Sequence, residues 1–254
     1  MDIKILVATH KESWLPDDPV YFPLQVGAEG KKDLGLIKDN TGDNISIKNP
    51  YFCELTGLYW AWKNLSCDYI GLCHYRRYFA HNGIYTSPEK MKKLIFKQED
   101  YADILKDYDI ILPPQHRIKD KTVKEQYGKS HNIHDLDEAI KIIIEKYPDY
   151  RNAVNSFFRQ NRIYYYNMFV MKKTRFDSYC SWIFDILFTL EKRIDISSYD
   201  THQSRVYGFL AERLFNVWIN QQHLKIKNVP VVFLEEQKRS RWVNMKRYFS
   251  QMSL

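Results

Sequence analysis

Tyr69-Ile70-Gly71-Leu72-Cys73-His74-Tyr75-Arg76-Arg77-Tyr78-Phe79-Ala80 decides how this chain folds. Its first half is an apolar run of the kind that forms a strand covered on both faces. Its second half puts an imidazole, two tyrosines and two guanidiniums where that strand ends. Open α/β sheets keep their ligands beyond the carboxyl ends of their strands. Two adjacent arginines that cannot lose their charge suit a doubly anionic ligand such as a sugar-nucleotide diphosphate.

Other segments repeat the pattern. Residues 3–8 are a second continuous apolar run, ended by Thr9-His10-Lys11, and shorter strands are expected at 21–26, 109–112, 164–171 and 229–234. Helical spacing of Phe52, Leu55, Leu58, Tyr59 and Trp62 predicts a helix over 50–64 with Asn49 as cap. Further helices are expected over 87–108, 135–147, 152–160, 176–193 and 208–221. Residues 12–49 read as a long loop, and long loops inside compact domains are usually functional. Strands alternating with helices imply an α/β fold, one domain over 1–237 with a mainly parallel sheet flanked by helices. No repeat or linker divides it.

The chain has 254 residues and a formal charge of +7. The excess is concentrated in a basic, helical C-terminal tail, 238–254, where Trp242, Met245 and Phe249 share a face opposite Arg239, Lys246 and Arg247. That is the pattern of an amphipathic segment lying on an anionic membrane surface, or of a helix packed on its own domain. The N-terminal run lacks a basic leader, and no window is apolar enough to span a bilayer. Cys53, Cys67, Cys73 and Cys180 form no C-x-x-C pair and read as reduced thiols of a cytoplasmic protein. The charge also permits a nucleic-acid partner through the tail. Against that, the paired arginines follow a buried strand and form no broad basic face, so no nucleic acid is expected.

Dinucleotide, P-loop, zinc-protease and serine-hydrolase signatures are absent. The polar clusters fall at strand ends, and the topology can bring Thr9, His10 and Lys11 to the same crevice as His74, Tyr75, Arg76 and Arg77. Asn167 interrupts an apolar strand, which destabilises unless its amide is hydrogen-bonded.

Taken in order, Thr9-His10-Lys11, Gly42-Asp43-Asn44-Ile45-Ser46, the stretch 51–64, the segment Ile70 through Phe79, Tyr166-Asn167-Met168-Phe169-Val170-Met171 and Gly208-Phe209-Leu210-Ala211-Glu212-Arg213-Leu214 resemble a bacterial family. Its members occur in capsular, exopolysaccharide and O-antigen gene clusters and are described as glycosyltransferases or as a domain of unknown function. The resemblance covers residues 3–220 and implies a single GT-A-like domain that uses a nucleotide sugar; some members are similar to galactofuranosyltransferases. It implies a UDP-hexose donor held by Thr9, His10, Lys11, Asn44, His74, Tyr75, Arg76 and Arg77. The implied acceptor is a lipid-linked glycan, met by Asn167, His131, Glu54 and Arg213 at the inner face of the membrane. GT-A enzymes commonly hold a divalent metal on an Asp-x-Asp motif, whereas the corresponding segment here supplies Cys73-His74-Tyr75-Arg76-Arg77. A hard cation wants oxygen ligands. The expectation is therefore no metal and no other cofactor, with Arg76 and Arg77 stabilising the leaving group. A manganese or magnesium site on Asp39 and Asp43 is the alternative. Transfer with inversion needs a carboxylate base. Asp43, Glu54, Asp200 and Glu212 are candidates; Glu212 is preferred, narrowly over Asp43.

Overall fold

The computed structural model describes residues 1–84, 86–119 and 121–234. The amphipathic tail, 238–254, lies outside the described residues. In chain order the strands and α-helices are β1 (Ile3–Thr9), β2 (Tyr21–Gln25), β3 (Ile37–Lys38), α1 (Asn49–Phe52), α2 (Leu55–Asn64), β4 (Tyr69–His74), β5 (Arg77–Phe79), α3 (Pro88–Lys92), α4 (Gln98–Ile104), β6 (Ile110–Leu112) and β7 (His116–Arg117). They continue as α5 (Val123–Ser130), α6 (Ile133–Lys146), α7 (Arg151–Arg159), β8 (Arg162–Ile163), β9 (Phe169–Lys172), α8 (Lys173–Glu191), α9 (Val206–Gln222), β10 (Ile226–Asn228) and β11 (Val231–Phe233).

The main sheet runs β10-β6-β9-β4-β1-β2-β3, with β5 and β11 branching from β4. β1 lies parallel to both β2 and β4, β10 lies parallel to β6, and β9 runs antiparallel between β4 and β6. This is the mostly parallel α/β sheet expected, with one reversed strand inside it. Side chains alternate across a strand. Leu6 and Ala8 of β1 and Phe169 and Met171 of β9 therefore face the larger core, under α2 and α5–α9. Ile5, Val7, Met168 and Val170 face a smaller core under α3, α4, β5 and β11. Phe169 of β9, Tyr179 of α8 and Phe215 and Trp218 of α9 pack ring on ring in the larger one. Burying a side chain of that size is worth roughly 1.5–3 kcal/mol. No helix among the described residues is long and apolar enough to cross a membrane.

Three expected elements are divided, each where long-range bonds outweigh local propensity. The helix over 50–64 breaks at Cys53, which takes φ 53° and ψ −133°. Asn49 Nδ2 donates to the Cys53 carbonyl that the break exposes, at 2.8 Å. Against this corner packs Gly208 of α9, where a Cβ would meet Cys53 Sγ at 3.0 Å. The strand expected over 164–171 keeps only its second half, because Tyr166 and Asn167 adopt φ 82° and 51°. Ahead of that turn Asn216 replaces a neighbouring strand, accepting from Tyr164 N at 2.8 Å and donating to Tyr164 O at 2.9 Å. The helix over 87–108 becomes α3 and α4, since Leu94 and Phe96 return to bond with His81 and Phe79.

The loop before α1 is fastened by a buried carboxylate. Asp39 accepts from the backbone of Gly27 (2.8 Å) and Ala28 (3.0 Å) and from the hydroxyls of Ser46 (2.5 Å) and Thr56 (2.6 Å).

Candidate active site

Beyond the carboxyl ends of β1 and β4 lies a cleft of about 800 Å³. Ala8, His10, Val26, Lys31 and the segment His74 through Arg77 form its strand-end wall. The α1–α2 corner contributes Cys53 and Glu54. Thr201, Ser204, Arg205, Gly208, Phe209 and Glu212 line the α9 side, with Tyr166 and Asn167 beside them.

On the strand-end wall, Arg77 is held by aromatic faces. Its guanidinium lies 4.8 Å from the Tyr166 ring centre and 5.8 Å from that of Phe233. Burial, then the neighbouring Arg76, press its pKa below the ordinary arginine value. Among the described residues neither arginine has a carboxylate within ion-pair distance. A half-buried cation beside a like charge gains strongly from an incoming anion. His10 meets Tyr75 edge-on at 5.4 Å, and Lys11 Nζ stands 5.1 Å from the Tyr75 ring centre.

The opposite part of the cleft is built around the Tyr166–Asn167 turn. His74 Nε2 bonds the Tyr166 carbonyl at 2.7 Å, and Tyr166 N donates to Glu212 Oε1 at 2.6 Å. Asn167 Nδ2 donates to Glu54 Oε1 at 2.8 Å, and its buried Oδ1 has no partner among the described residues. Arg213 Nη1 donates to Glu212 Oε2 at 2.8 Å, so both oxygens of Glu212 are engaged. Non-glycine residues rarely adopt positive φ. Two in succession are held here by bonds to His74, Glu54 and Glu212.

Burial pushes the Glu212 carboxyl above its ordinary value, with Arg213 and the Tyr166 N–H opposing. The His74 imidazole is held below its ordinary value of 6.5, first by burial and then by Arg77 and Arg76, against the pull of Glu54. A histidine kept neutral on folding makes the unfolded chain the better proton acceptor. Stability is then lost as pH falls below about 6.5, through the window down to the folded value. Urea unfolding at pH 7.0 and 5.5 should show that loss, and His74→Gln should reduce it. Glu212 acts with the opposite sign: stability is lost as pH rises from its ordinary 4.5 to its raised value.

The structure brings together His10, His74, Tyr75, Arg76, Arg77, Glu54, Asn167 and Glu212, with Arg213 directly behind Glu212. Other expected site residues lie elsewhere. Thr9 is buried and closes β1 by donating from Oγ1 to Lys11 O at 2.7 Å. Asn44 serves its own turn, donating to Gly42 O and accepting from Ser46 N. Asp43, the second choice as base, is absent from the cleft lining: it accepts from Tyr59 OH at 3.1 Å, and Asn64 holds its backbone. Asp200 Oδ1 accepts from His202 N and Gln203 N at the turn before α9. His131 stacks on Phe209 at 4.2 Å, behind the α9 wall. Of the alternative metal pair, Asp39 accepts four internal bonds and Asp43 accepts from Tyr59 OH. Among the described residues no three potential metal ligands converge. Cys73 and Cys180 are buried thiols, while Cys53 and Cys67 are half-buried. Burial raises the Cys53 thiol to about 11, so it stands in the cleft wall as a neutral group.

Sequence reasoning missed Arg205 and the backbone of Tyr166. Arg205 carried no local signal, since its place in the cleft depends on the packing of α9 against α1. Tyr166 sat inside what read as regular strand.

A mostly parallel sheet with a basic, carboxylate-bearing cleft past its strand ends defines an α/β protein with its candidate site at the carboxyl edge. The chain belongs to the family described as Domain of unknown function (DUF4422), whose model matches residues 4–223. The family-level resemblance read from the motifs, over 3–220, is borne out by that match. Among solved structures, the apo structure of the WbbM bifunctional glycosyltransferase is 34% identical with a TM-score of 0.85; the match covers 93% of this chain and 46% of that one. This chain therefore spans less than half of that protein. No curated protein matches the chain.

Proposed function

We propose that this chain is a glycosyltransferase of bacterial surface-polysaccharide synthesis, moving a hexose from a UDP-sugar to a lipid-linked glycan without a metal. The observation that carries the reading is the pair Arg76 and Arg77, unneutralised by any described carboxylate at the mouth of a strand-end cleft. The kinship to a bifunctional glycosyltransferase supports it. Galactose, including galactofuranose, is the first choice of sugar.

In this reading the donor diphosphate lies on Arg76 and Arg77, with His10 and Tyr75 alongside. The acceptor hydroxyl attacks the anomeric carbon, a carbon–oxygen bond forms as the bond to the diphosphate breaks, and configuration inverts. The hydroxyl proton passes to a carboxylate. Geometry favours Glu54 over Glu212 for that role. One oxygen of Glu54 is steadied by Asn167 while the other bears no hydrogen bond from a described residue, whereas both oxygens of Glu212 hold neighbours in place. Arg76 and Arg77 oppose the leaving group's charge through the transition state, the service a divalent ion would otherwise give.

Thermal shift and calorimetry with UDP test the donor site. UDP should stabilise the protein equally in EDTA and in manganese. Arg77→Ala should weaken UDP binding by about 10–100-fold, the loss expected for charge-assisted hydrogen bonds, with the melting temperature of the free protein little changed. No UDP binding, or binding that requires manganese, would count against the reading. The basic tail would hold the enzyme at the anionic inner leaflet; liposome binding unchanged by deleting 238–254 would remove that role.

A further inference from the structure

We propose that Arg205 forms, with its surroundings on the α9 wall, a second anion subsite, which takes a negatively charged group of the acceptor. The proposal rests on the glycosyl-transfer reading above and adds the chemical class of the second substrate.

Arg205 lines the cleft from the turn before α9. Its Nε–H donates to Cys53 Sγ at 3.2 Å, and its guanidinium lies 5.5 Å from the Phe209 ring centre. Sulfur is a weak acceptor, so these contacts orient the group without neutralising it. Among the described residues no carboxylate comes within ion-pair distance of it. The exposed Thr201 hydroxyl lines the same wall. α9 starts there with no side-chain cap and no acidic residue in its first turn. A fixed, unpaired guanidinium in a cleft wall is a recognition element for phosphate or carboxylate.

The position of Glu54 relates this group to the reaction. Glu54 is within electrostatic reach of Arg77 on the strand-end wall and of Arg205 on the α9 wall. With the leaving diphosphate on Arg76 and Arg77 and the proton going to Glu54, in-line displacement brings the acceptor in from the side away from the diphosphate. That side is the α9 wall. An acceptor seated there places its own charge against Arg205: the phosphate linking a glycan to its lipid, or the carboxylate of an acidic sugar. Both present an oxyanion to the same guanidinium.

Calorimetry on the whole chain with the donor end saturated by UDP tests this. Octyl phosphate, octyl glucuronide and the neutral octyl glucoside are titrated into wild type, Arg205→Gln and Arg205→Lys. One of the anionic probes should bind wild type about 10-fold tighter than the glucoside. Arg205→Gln should abolish that preference and Arg205→Lys should retain part of it, with UDP affinity unchanged in both variants as the check on folding. Preference for the phosphate assigns the subsite to the lipid linkage, and preference for the glucuronide assigns it to an acidic sugar. Equal binding of the three probes to wild type, or a preference that survives Arg205→Gln, overturns the proposal. A wild-type protein that fails to bind UDP defeats the donor reading itself, and that failure is seen before any acceptor probe is added.

Discussion

Glu54→Gln is expected to slow glycosyl transfer by about 10²–10⁴-fold, the usual contribution of a positioned base, while UDP binds as it does to wild type. The glutamine keeps the shape of the side chain and an oxygen for Asn167 Nδ2, which donates to Glu54 Oε1 at 2.8 Å. What it loses is the capacity to take a proton. Glu212→Gln should behave differently, because that carboxylate receives the Tyr166 N–H and the Arg213 guanidinium and its loss loosens the turn beneath the cleft. It should lower thermal stability and raise KM along with its effect on kcat. Steady-state release of UDP in the presence of acceptor, measured beside urea unfolding, separates the two. A folded Glu212→Gln protein with normal KM and abolished turnover, next to an active Glu54→Gln protein, would transfer the role of base to Glu212.

Asp39→Ala should have the largest effect on stability, a loss on the order of 3–5 kcal/mol. Two backbone N–H groups and two hydroxyls converge on this carboxylate, which is fully buried. Alanine strands the two N–H groups and the Ser46 hydroxyl away from water and leaves the Thr56 hydroxyl only its longer bond to Cys53 O at 3.2 Å. Asn in its place can accept with one oxygen but presents N–H groups to donors at the other position, so Asp39→Asn should fall between wild type and alanine. Midpoints of urea unfolding read both. The Asp39 bonds tie the turn after β2, near Val26 and Lys31 in the cleft wall, to the start of α2. Residual folded Asp39→Ala protein should consequently also bind UDP more weakly.

The order of elements and the place of the site were legible because they rest on signals that the chain carries locally. Apolar runs at β1 and β4 announce strands covered on both faces, and polar clusters at their ends announce the crevice. Asp43 and Asn44 misled because a Gly-Asp-Asn turn looks alike whether it serves a ligand or its own loop; Asn64, distant in sequence, decides the matter. Asn167 was noticed as a polar residue in an apolar strand, but nothing within 164–171 reveals that the strand is interrupted. The bonds that bend it come from His74, Glu54 and Glu212. α5 could have been found: Thr122 and Glu125 form the reciprocal cap that a T-x-x-E pattern signals. The corner at Cys53 had no such marker, since it is shaped by the approach of Gly208.

That approach makes α9 more than one wall of the cleft. Within nine residues the helix packs Gly208 on the α1 corner, stations Phe209 and Glu212 along the ligand space, backs Glu212 with Arg213 and clasps Tyr164 through Asn216. Successive positions on a helix are locked in angle and rise. The shape of the cleft is thereby geared to a single rod: a small turn of α9 about its axis would shift the Arg205 end, the carboxylate and the Tyr166 turn together. Substitutions on the far face of α9, remote from any ligand, should tune donor and acceptor affinity in concert.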